Sequence, residues 1–342
     1  MGRRAPRGRA PARGGEAVGD LTSERRERVL AALVQAGPDG VSGESLAAEL
    51  GCSRAAVHRH VAALRREGLG VAGGPEGYRL DADADPVVPM LVAPRLAPPL
   101  AGPVVWLAET GSTNDEAIKR ARAGAPEGLV VGADRQRAGR GRRGRPWLSA
   151  AGHGLLMSAL LRPGVPPVDA GLLPVVAAVG AAEALGPAAG IVWPNDILID
   201  GRKVAGILCE MSADQERVGW AVVGIGVNVR SAPALGDARW EPGALADSGD
   251  PPRRADLLVG LLAALGRRYG EWSRAGPEGV LAAFAARDAL RGRAVVVSLA
   301  GEEVGGECAG TDSLGRLRVR TAGGERLLGA GEVVRVGPGA GG

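Results

Sequence analysis

Residues 138–147 read Ala-Gly-Arg-Gly-Arg-Arg-Gly-Arg-Pro-Trp, and this run constrains the fold more than any other part of the chain. Four arginines and three glycines are too polar and too flexible to pack as core, yet apolar segments stand on both sides of them. Glycine lets the backbone approach a ligand closely, and each arginine offers a planar fork for phosphate or carboxylate. The run predicts an anion-binding loop inside a folded domain, mobile when empty.

Two other interpretations of this run are weaker. The spacing of a Walker A motif is missing. An exposed Arg-Gly strip that binds nucleic acid nonspecifically is the other possibility, but the run lies between a predicted strand and another apolar segment, inside a domain. The net charge of +4 is also small for 342 residues, so the chain as a whole is not a general polyanion binder.

Small polar side chains follow apolar segments elsewhere in the same region. Strand-like residues 104–107 lead to Ser112-Thr113-Asn114, with a helix predicted from about 115 to 122, and a second strand ends near Gln136. Such side chains can bind a polar ligand head, but they can also simply cap a helix. A third strand, 221–229, contains Asn228.

Lys203 is a candidate functional residue because lysine is rare in this chain. Of 42 basic residues only Lys119 and Lys203 are lysines. Lys203 begins an apolar strand after a glycine turn and follows the run Trp193-Pro194-Asn195-Asp196. Period-two alternation predicts Lys203 on one face of this strand and Gly206 on the other.

The N-terminal region predicts a winged helix-turn-helix. Helical patterns over 24–36, 42–50 and 53–68 are separated by glycine turns, and residues 69–80 read as a short hairpin. Ser53 is placed to cap the third helix. In the major groove of DNA that helix would present a group of exposed side chains: Ser53, Arg54, Ala55, His58 and Arg59. The alternative is a three-helix bundle whose basic face is only solvated.

The rest of the chain is less specific. Residues 1–22 read as a disordered basic tail and 83–103 as a proline-rich linker. The apolar stretch 171–193 contains prolines, a glutamate and glycines, so we expect a buried helix rather than a membrane span. The three cysteines are far apart and form neither a disulfide framework nor a metal motif, which suggests a reducing cytoplasm and no metal site. Short alternating segments from residue 294 predict a small barrel.

Taken together, the motifs resemble bifunctional biotin–protein ligases, in which a ligase is joined to a biotin operon repressor. The matching pieces, in family order, are Ser112-Thr113-Asn114, Gln136 with 139–144, Trp193-Pro194-Asn195-Asp196, residues 203–208 and residues 224–228. Ser53-Arg54-Ala55-Ala56-Val57 is similar to the repressor part, and the resemblance covers about 24–336. One departure is Val192, where the family often has a lysine.

The resemblance implies an α/β (α+β) fold with three parts. These are an N-terminal winged helix-turn-helix, a central mixed β-sheet with flanking helices of the class II synthetase type, and a small SH3-like barrel. It also implies the domain boundaries, which are a tail at 1–22, a DNA-binding domain at 23–82, a linker at 83–103, a catalytic domain at 104–290 and a C-terminal domain at 291–338.

The implied reaction has two steps. Biotin and MgATP form biotinyl-5′-AMP and pyrophosphate, and a lysine of biotin carboxyl carrier protein then attacks the adenylate and releases AMP. Mg²⁺ is expected to arrive with ATP. Further implied partners are operator DNA and, when the adenylate is bound, a second copy of the chain.

The resemblance also implies roles for individual residues. Catalytic roles are implied for Lys203, Arg140, Arg142 and Asp196. The positions expected to bind biotin are Ser112, Thr113, Asn114, Gln136, Arg140, Gly141, Arg142 and Lys203. The positions expected to bind the nucleotide are Arg143, Trp147, Asn195 and Asn228.

Three alternatives stay open at this point. The chain could be a regulator that senses biotin without catalysis, but such a protein need not keep Lys203 or the Arg-Gly loop. It could be an acyl ligase for lipoate, although lipoate lacks the ureido head of biotin. Finally, the first domain could only tune catalysis rather than bind an operator.

Overall fold

The structure, a computed structural model, describes residues 14–74, 77–234, 239–299 and 301–339, with side chains from residue 23 to residue 337 of these ranges. The chain divides into two compact units after Leu91. This division lies within the segment predicted as a linker, and the domain boundaries themselves stay predictions.

The first unit contains a helix-turn-helix and a hairpin, as predicted. Its elements are α1 (Gly14–Ala36), α2 (Gly43–Leu50), α3 (Arg54–Arg66), β1 (Val71–Gly74), β2 (Gly77–Leu80) and the start of α4 (Pro89–Val92). The helices and hairpin enclose a core that includes Val29, Leu33, Leu46, Val57, Val61 and Tyr78. Helix α1 begins at Gly14, so part of the predicted tail is helical, whereas residues 1–13 lie outside the described residues.

The capping of α3 is as the sequence predicted. The Ser53 hydroxyl accepts a hydrogen bond from the backbone N–H of Ala56 at 3.2 Å, and Gly51 in the preceding turn has a positive φ of 59°. A left-handed backbone favours glycine there because a Cβ would be strained. This turn and cap set the direction of α3.

The second unit is built on a seven-stranded mixed sheet. Its strands are β3 (Val104–Thr110), β4 (Val130–Gln136), β5 (Gly154–Leu161), β6 (Gly190–Val192), β7 (Asp196–Ile199), β8 (Arg202–Ala213) and β9 (Val218–Asn228). The strand order is β3-β4-β5-β9-β8-β7-β6. Only β3 and β4 are parallel, and α5 (Thr113–Arg122) connects them. The mixed sheet confirms the predicted fold class.

Helix α5 starts two residues earlier than predicted. Ser112 occupies the cap position but its side chain makes no capping bond. The backbone is already helical at Thr113 and Asn114, where the sequence suggested a polar loop. Both side chains are buried, and they donate hydrogen bonds to Gln136 and Glu210 respectively.

Three further helices pack on the sheet and on one another. They are α6 (Leu173–Leu185), α7 (Arg254–Ala275) and α8 (Glu278–Ala285). A Cβ at Gly180 of α6 would come within 2.9 Å of the Leu265 backbone, so glycine permits this close helix packing. Helix α6 lies in the stretch predicted as a buried helix, and in the described part of the chain no helix is long and apolar enough to cross a membrane.

Residue 293 begins a five-stranded antiparallel sheet. Its strands are β10 (Arg293–Leu299), β11 (Glu302–Thr311), β12 (Leu317–Thr321), β13 (Gly324–Leu328) and β14 (Glu332–Gly339). Their order is β13-β12-β11-β10-β14, with Val297, Cys308 and Val319 fully buried. The antiparallel strands agree with the sequence pattern, while closure into an SH3-like barrel stays a prediction.

The predicted linker also contains packed residues. Val92 and Leu100 are buried, and Leu100 lies against Gly266 of α7. Apolar side chains between the prolines of this segment explain the packing, since burying them is favourable.

Candidate functional site

A cavity of about 450 Å³ opens on one face of the central sheet. It brings together the thirteen residues of the central region that the sequence singled out, which are Ser112, Thr113, Asn114, Gln136, Arg140, Gly141, Arg142, Arg143, Trp147, Asn195, Asp196, Lys203 and Asn228. Residues far apart in sequence converge because the polar ends of β3, β4 and β9 and the start of β8 lie at the same end of the sheet.

One end of the cavity is a buried polar network. The amide nitrogen and hydroxyl of Thr113 donate to Gln136 Oε1 at 2.7 and 3.0 Å. These bonds orient the Gln136 side chain. The hydroxyl of Ser158 lies 2.8 Å from Thr113 Oγ1 and 2.6 Å from Asn114 Oδ1. Since an amide oxygen can only accept, the Ser158 proton serves Asn114.

Ser158 was missed by sequence reasoning. It lies in the middle of β5, where every residue is buried, and it is fully buried itself. The only signal was a single hydroxyl within the apolar run of β5. Asn114 completes the network because its Nδ2 donates to Glu210 Oε2 at 2.7 Å.

The floor of the cavity is a pair of glycines. Gly206 of β8 faces Gly226 of β9 in register, and the indole ring of Trp147 lies over both. A Cβ at Gly206 would come within 2.9 Å of that ring, and one at Gly226 within 2.5 Å. The two glycines therefore provide a flat surface that admits a ring or a chain.

Lys203 lies on the same side of β8 as Gly206, and the alternation prediction was wrong. Its Nζ is 3.6 Å from the place of a Cβ on Gly206 and 2.6 Å from Asp196 Oδ1. The register between β7 and β8 shifts where Leu198 pairs with Lys203, which breaks the period of two. This bulge turns the ammonium into the cavity.

Asp196 binds a second cation that the sequence did not reveal. Arg239, in the loop after β9, donates from Nη2 to Asp196 Oδ2 and from Nη1 to Glu332 Oε1, the latter at 2.6 Å. Asp196 is 2% exposed. Because this loop has no helical or strand period, no sequence signal placed Arg239 at the site.

The Arg-Gly loop closes over the cavity as a short hairpin. The N–H of Trp147 donates to Gly139 O at 2.8 Å, and that of Gly141 donates to Arg145 O at 2.7 Å. Arg142 is half-buried and donates to Asn195 Oδ1 at 3.4 Å. Burial lowers the pKa of its guanidinium, an effect that the nearby Glu332 carboxylate opposes. Arginine nevertheless stays charged in proteins.

Arg140 lines the cavity, but its guanidinium pairs with Asp115, which is not part of the lining. Its Nη1 and Nη2 lie 2.7 and 2.5 Å from the two oxygens of Asp115 in the first turn of α5. The hydrogen bond from Arg140 lowers the pKa of Asp115. Glu210 lies 3.9 Å from the same guanidinium.

The cavity carries an excess of positive charge. Its lining contains six cationic side chains (Arg140, Arg142, Arg143, Arg145, Lys203 and Arg239) and two carboxylates (Asp196 and Glu332). Among the described residues, buried atoms of Trp147, Arg239, Trp240 and Asn228 also lack a hydrogen-bond partner. Three of these atoms are N–H donors. An anionic ligand with several acceptor oxygens suits this lining.

Asn195 and Asn228 donate hydrogen bonds to backbone carbonyl groups around the cavity. Asn195 Nδ2 donates to Ile207 O at 3.0 Å, and Asn228 Nδ2 donates to Gly243 O at 3.0 Å. Asn228 Oδ1 is buried and has no partner, so it can accept from a ligand. In the described ranges, no group of three or more His, Cys, Asp or Glu side chains could hold a metal ion.

The five residues predicted to contact DNA lie together on the first unit. All five are exposed at the start of α3, on the side away from Val57 and Val61, which are buried. Arg65, near the end of α3, instead donates to Val71 O and Gly73 O of the hairpin at 2.8 Å. It therefore stabilises the wing.

Comparison with known families identifies two regions of the chain. Residues 107–228 match the model of the Biotin/lipoate A/B protein ligase family, and residues 25–79 match an HTH domain. The first region runs from within β3 to the end of β9 and contains most of the residues that line the cavity, and the second runs from within α1 through α2 and α3 to the hairpin.

Individual proteins are similar over larger parts of the chain. The bifunctional ligase/repressor BirA of Bacillus subtilis is 39% identical over 62% of this chain and 67% of its own length. The biotin–[acetyl-CoA-carboxylase] ligase of Mycobacterium tuberculosis is 35% identical over 67% of this chain and 88% of its own. The structure of the biotin protein ligase from Aquifex aeolicus in complex with biotin and ATP has a TM-score of 0.58 and 26% identity, covering 67% of this chain and 97% of that one.

Proposed function

The chain belongs to the biotin/lipoate A/B protein ligase family, and on that basis we propose that it is an ATP-dependent biotin–protein ligase and a biotin-responsive repressor. The observation that carries the enzymatic part is the single cavity that joins a neutral polar network to a surplus of cations. Biotin has a neutral ureido head and an anionic carboxylate, and ATP adds phosphates.

In the first step, a carboxylate oxygen of biotin attacks the α-phosphorus of ATP. The bond from that phosphorus to the bridging oxygen breaks, and pyrophosphate leaves with the electron pair. Two anions must approach each other, so cations are needed to offset the repulsion and to stabilise the charge that develops. We assign this role to Lys203, Arg140 and Arg142, which line the same cavity.

The polar network suits the head of biotin. Ser112, Thr113 and Gln136 offer donors and acceptors for the ureido group, and Gly141 lets the loop backbone approach the ligand. Asn114 is fully engaged with Ser158 and Glu210, so we assign it to holding the network in place.

The nucleotide would occupy the cationic end. Arg143 supplies charge, Trp147 an aromatic surface, and Asn195 and Asn228 polar contacts. Asn228 contributes an acceptor that lacks a partner, which suits an amino group. The aromatic lid also helps to exclude water, which would hydrolyse the adenylate.

Magnesium fits this site as an ion carried by the nucleotide. The carboxylates of the lining, Asp196 and Glu332, already bind cations of the protein. When bound to the phosphates, Mg²⁺ neutralises part of their charge. The arginines that line the cavity would hold the remaining phosphate charge.

In the second step, the amine of a carrier lysine attacks the carbonyl carbon of the adenylate. An amide bond forms, the bond to the phosphate oxygen breaks, and AMP leaves while the nitrogen loses a proton. The family resemblance implies a catalytic role for Asp196. Both of its oxygens bind cations, so we propose that it mainly orients Lys203.

The exposed N-terminal end of α3 supports operator binding by the first unit. We propose that the adenylate-bound protein pairs into a homodimer on a two-fold symmetric operator, and that it works in the cytoplasm. A footprint with and without biotin and ATP separates this from a domain that only tunes catalysis, because the latter gives no protection.

The direct test mixes the purified chain with biotin, MgATP and a carrier domain. The expected result is a mass gain of one biotinyl group on the carrier lysine and release of pyrophosphate, both dependent on ATP. Release of pyrophosphate with lipoate but not with biotin would identify a lipoate ligase. No release with either acid would identify a sensor without catalysis.

A further inference from the structure

Arg239, in the loop after β9, bridges two buried carboxylates at the wall of the cavity. Its Nη2 donates to Asp196 Oδ2 of β7, and its Nη1 donates to Glu332 Oε1 of β14 at 2.6 Å. The side chain is 14% exposed, and its Nε is buried without a hydrogen-bond partner in the described part of the chain. The guanidinium also lies 5.6 Å from the centre of the Trp240 ring. A cation this far removed from water must be paired, so Asp196 and Glu332 fix where it lies.

The strands around Asp196 do not supply this cation. Val192 stands directly opposite Asp196 in the β6–β7 pair, where facing side chains are about 5 Å apart. Val192 is fully buried and apolar, and it is the position at which the sequence departs from the family pattern. The other residues of β6 and β7 are uncharged as well. The cation at Asp196 Oδ2 therefore comes from a residue 43 positions further along the chain.

The charge balance around Asp196 depends on this distant arginine. Lys203 Nζ lies 2.6 Å from Asp196 Oδ1, so these two groups alone form a neutral pair. With Arg239 on the second oxygen, the three groups together carry one net positive charge. The repulsion between the two cations also weakens the hold of Asp196 on the ammonium. Lys203 can therefore interact with an anion in the cavity while it stays beside Asp196.

We propose that Arg239 is a positioning residue of the ligase reaction, which acts on the reacting groups through Asp196 and Lys203. It occupies one oxygen of Asp196 and so leaves the Lys203 ammonium available to the carboxylate and the phosphate that react. This role rests on the proposed function, because it belongs to the adenylation step. Loss of Arg239 should lower the rate of that step more than it weakens the binding of biotin, since the charge is needed most where new charge develops.

Arg239→Gln in the full chain tests this role, with pyrophosphate release from biotin and MgATP as the assay. We expect kcat to fall by about 10- to 100-fold, as when an outer partner of a catalytic group is lost, and KM for biotin to change by less than about threefold. The variant should fold, because Asp196 keeps Lys203 and Glu332 keeps Arg145. A kcat within about threefold of the wild-type value overturns the proposal.

Arg202→Gln is the matched control. Arg202 pairs with Glu241 at 3.4 Å and with Asp247 at 2.6 Å, so it binds the same segment after β9 from outside the cavity lining. It should release pyrophosphate at the wild-type rate. An equal loss of kcat in Arg202→Gln and Arg239→Gln would show that Arg239 only holds this segment in place, and the proposal would be wrong.

Combining Arg239→Gln with Lys203→Met shows whether the two residues act together. If Arg239 acts through Lys203, the double variant is no slower than Lys203→Met alone. A loss with a separate structural cause would instead multiply with the loss caused by Lys203→Met. That second result contradicts the proposed route through Lys203.

Binding of inorganic pyrophosphate, measured by calorimetry, tests the charge balance without catalysis. Removing one positive charge from the cavity should weaken this binding by about tenfold in Arg239→Gln, whereas Arg202→Gln should bind pyrophosphate as the wild type does. Unchanged binding in Arg239→Gln overturns the charge argument. A wild-type chain that releases no pyrophosphate from biotin and MgATP contradicts the ligase assignment instead, so the two failures are separate results.

Discussion

Replacing Lys203 by methionine would remove one positive charge from the cavity and keep the length of the side chain. The ammonium lies 2.6 Å from Asp196 Oδ1 and 5.7 Å from the centre of the Trp147 ring, and the side chain is 28% exposed. An ammonium about 4 Å from a developing charge contributes about 4 kcal/mol at an effective dielectric constant of about 20. Partial exposure reduces this contribution. We therefore expect adenylate formation to fall by about 10²–10³-fold, as when one preorganised donor is removed.

The fold should survive this change. Asp196 keeps its ion pair with Arg239, so no buried carboxylate is left without a cation. Losing one of two partners costs about 1 kcal/mol. This corresponds to a fall of only a few degrees in the melting temperature, by about 2–4 °C.

The assay is pyrophosphate release from biotin and MgATP, with the melting temperature measured in parallel. Lys119→Met is the matched control, because Lys119 is the other lysine of the chain and lies exposed on α5. It should release pyrophosphate at the wild-type rate. If Lys203→Met also stays within about threefold of that rate, the ammonium does not stabilise the transition state and the reasoning is refuted.

Three further changes test other parts of the structure. Gly226→Ala places a methyl group within 2.5 Å of the Trp147 ring. We expect biotin binding, measured by calorimetry, to weaken by about tenfold or more. The control is Gly219→Ala, whose methyl group meets only ordinary contact distances, and this variant should bind biotin normally. Asp288 has a buried oxygen without a partner, and burial raises the pKa of this carboxyl. Its charged form is therefore disfavoured in the folded state, and stability is lost as pH rises from the ordinary carboxyl range through the raised pKa. Asp288→Asn should thus be more stable than wild type by about 1–2 kcal/mol at neutral pH and show no advantage in acid; equal melting curves at neutral pH would contradict this. Arg59→Ala should weaken binding to DNA and reduce the salt dependence of the binding constant by about one counterion, without changing the melting temperature. An unchanged salt dependence of the binding constant would place Arg59 away from the phosphates.

Local patterns in the sequence were sufficient for the elements of the first unit. The Ser53 cap, the glycine turn at Gly51 and the buried stripe that includes Val57 and Val61 all have short-range causes. Helix capping and amphipathic period depend on neighbours a few residues apart, so they are visible without tertiary structure. The same holds for four strands of the central sheet, β3, β4, β8 and β9, whose apolar runs the sequence showed.

The sequence also predicted which residues form the site, because these residue types are chemically unusual at their positions in the chain. A rare lysine, an Arg-Gly run and amides at strand ends have no packing role to explain them. All thirteen of these residues line one cavity.

The pairing of these residues was decided only by the tertiary structure. A bulge between β7 and β8 turned Lys203 toward Gly206, against the alternation of the strand. Three residues of the site lie on elements that the sequence did not connect with it. Ser158 lies on an apolar strand, Arg239 in an irregular loop, and Glu332 on a separate sheet. Sequence patterns report which face of an element is buried, whereas ion pairs between distant elements depend on register and on how the elements pack, and these are set by the whole fold.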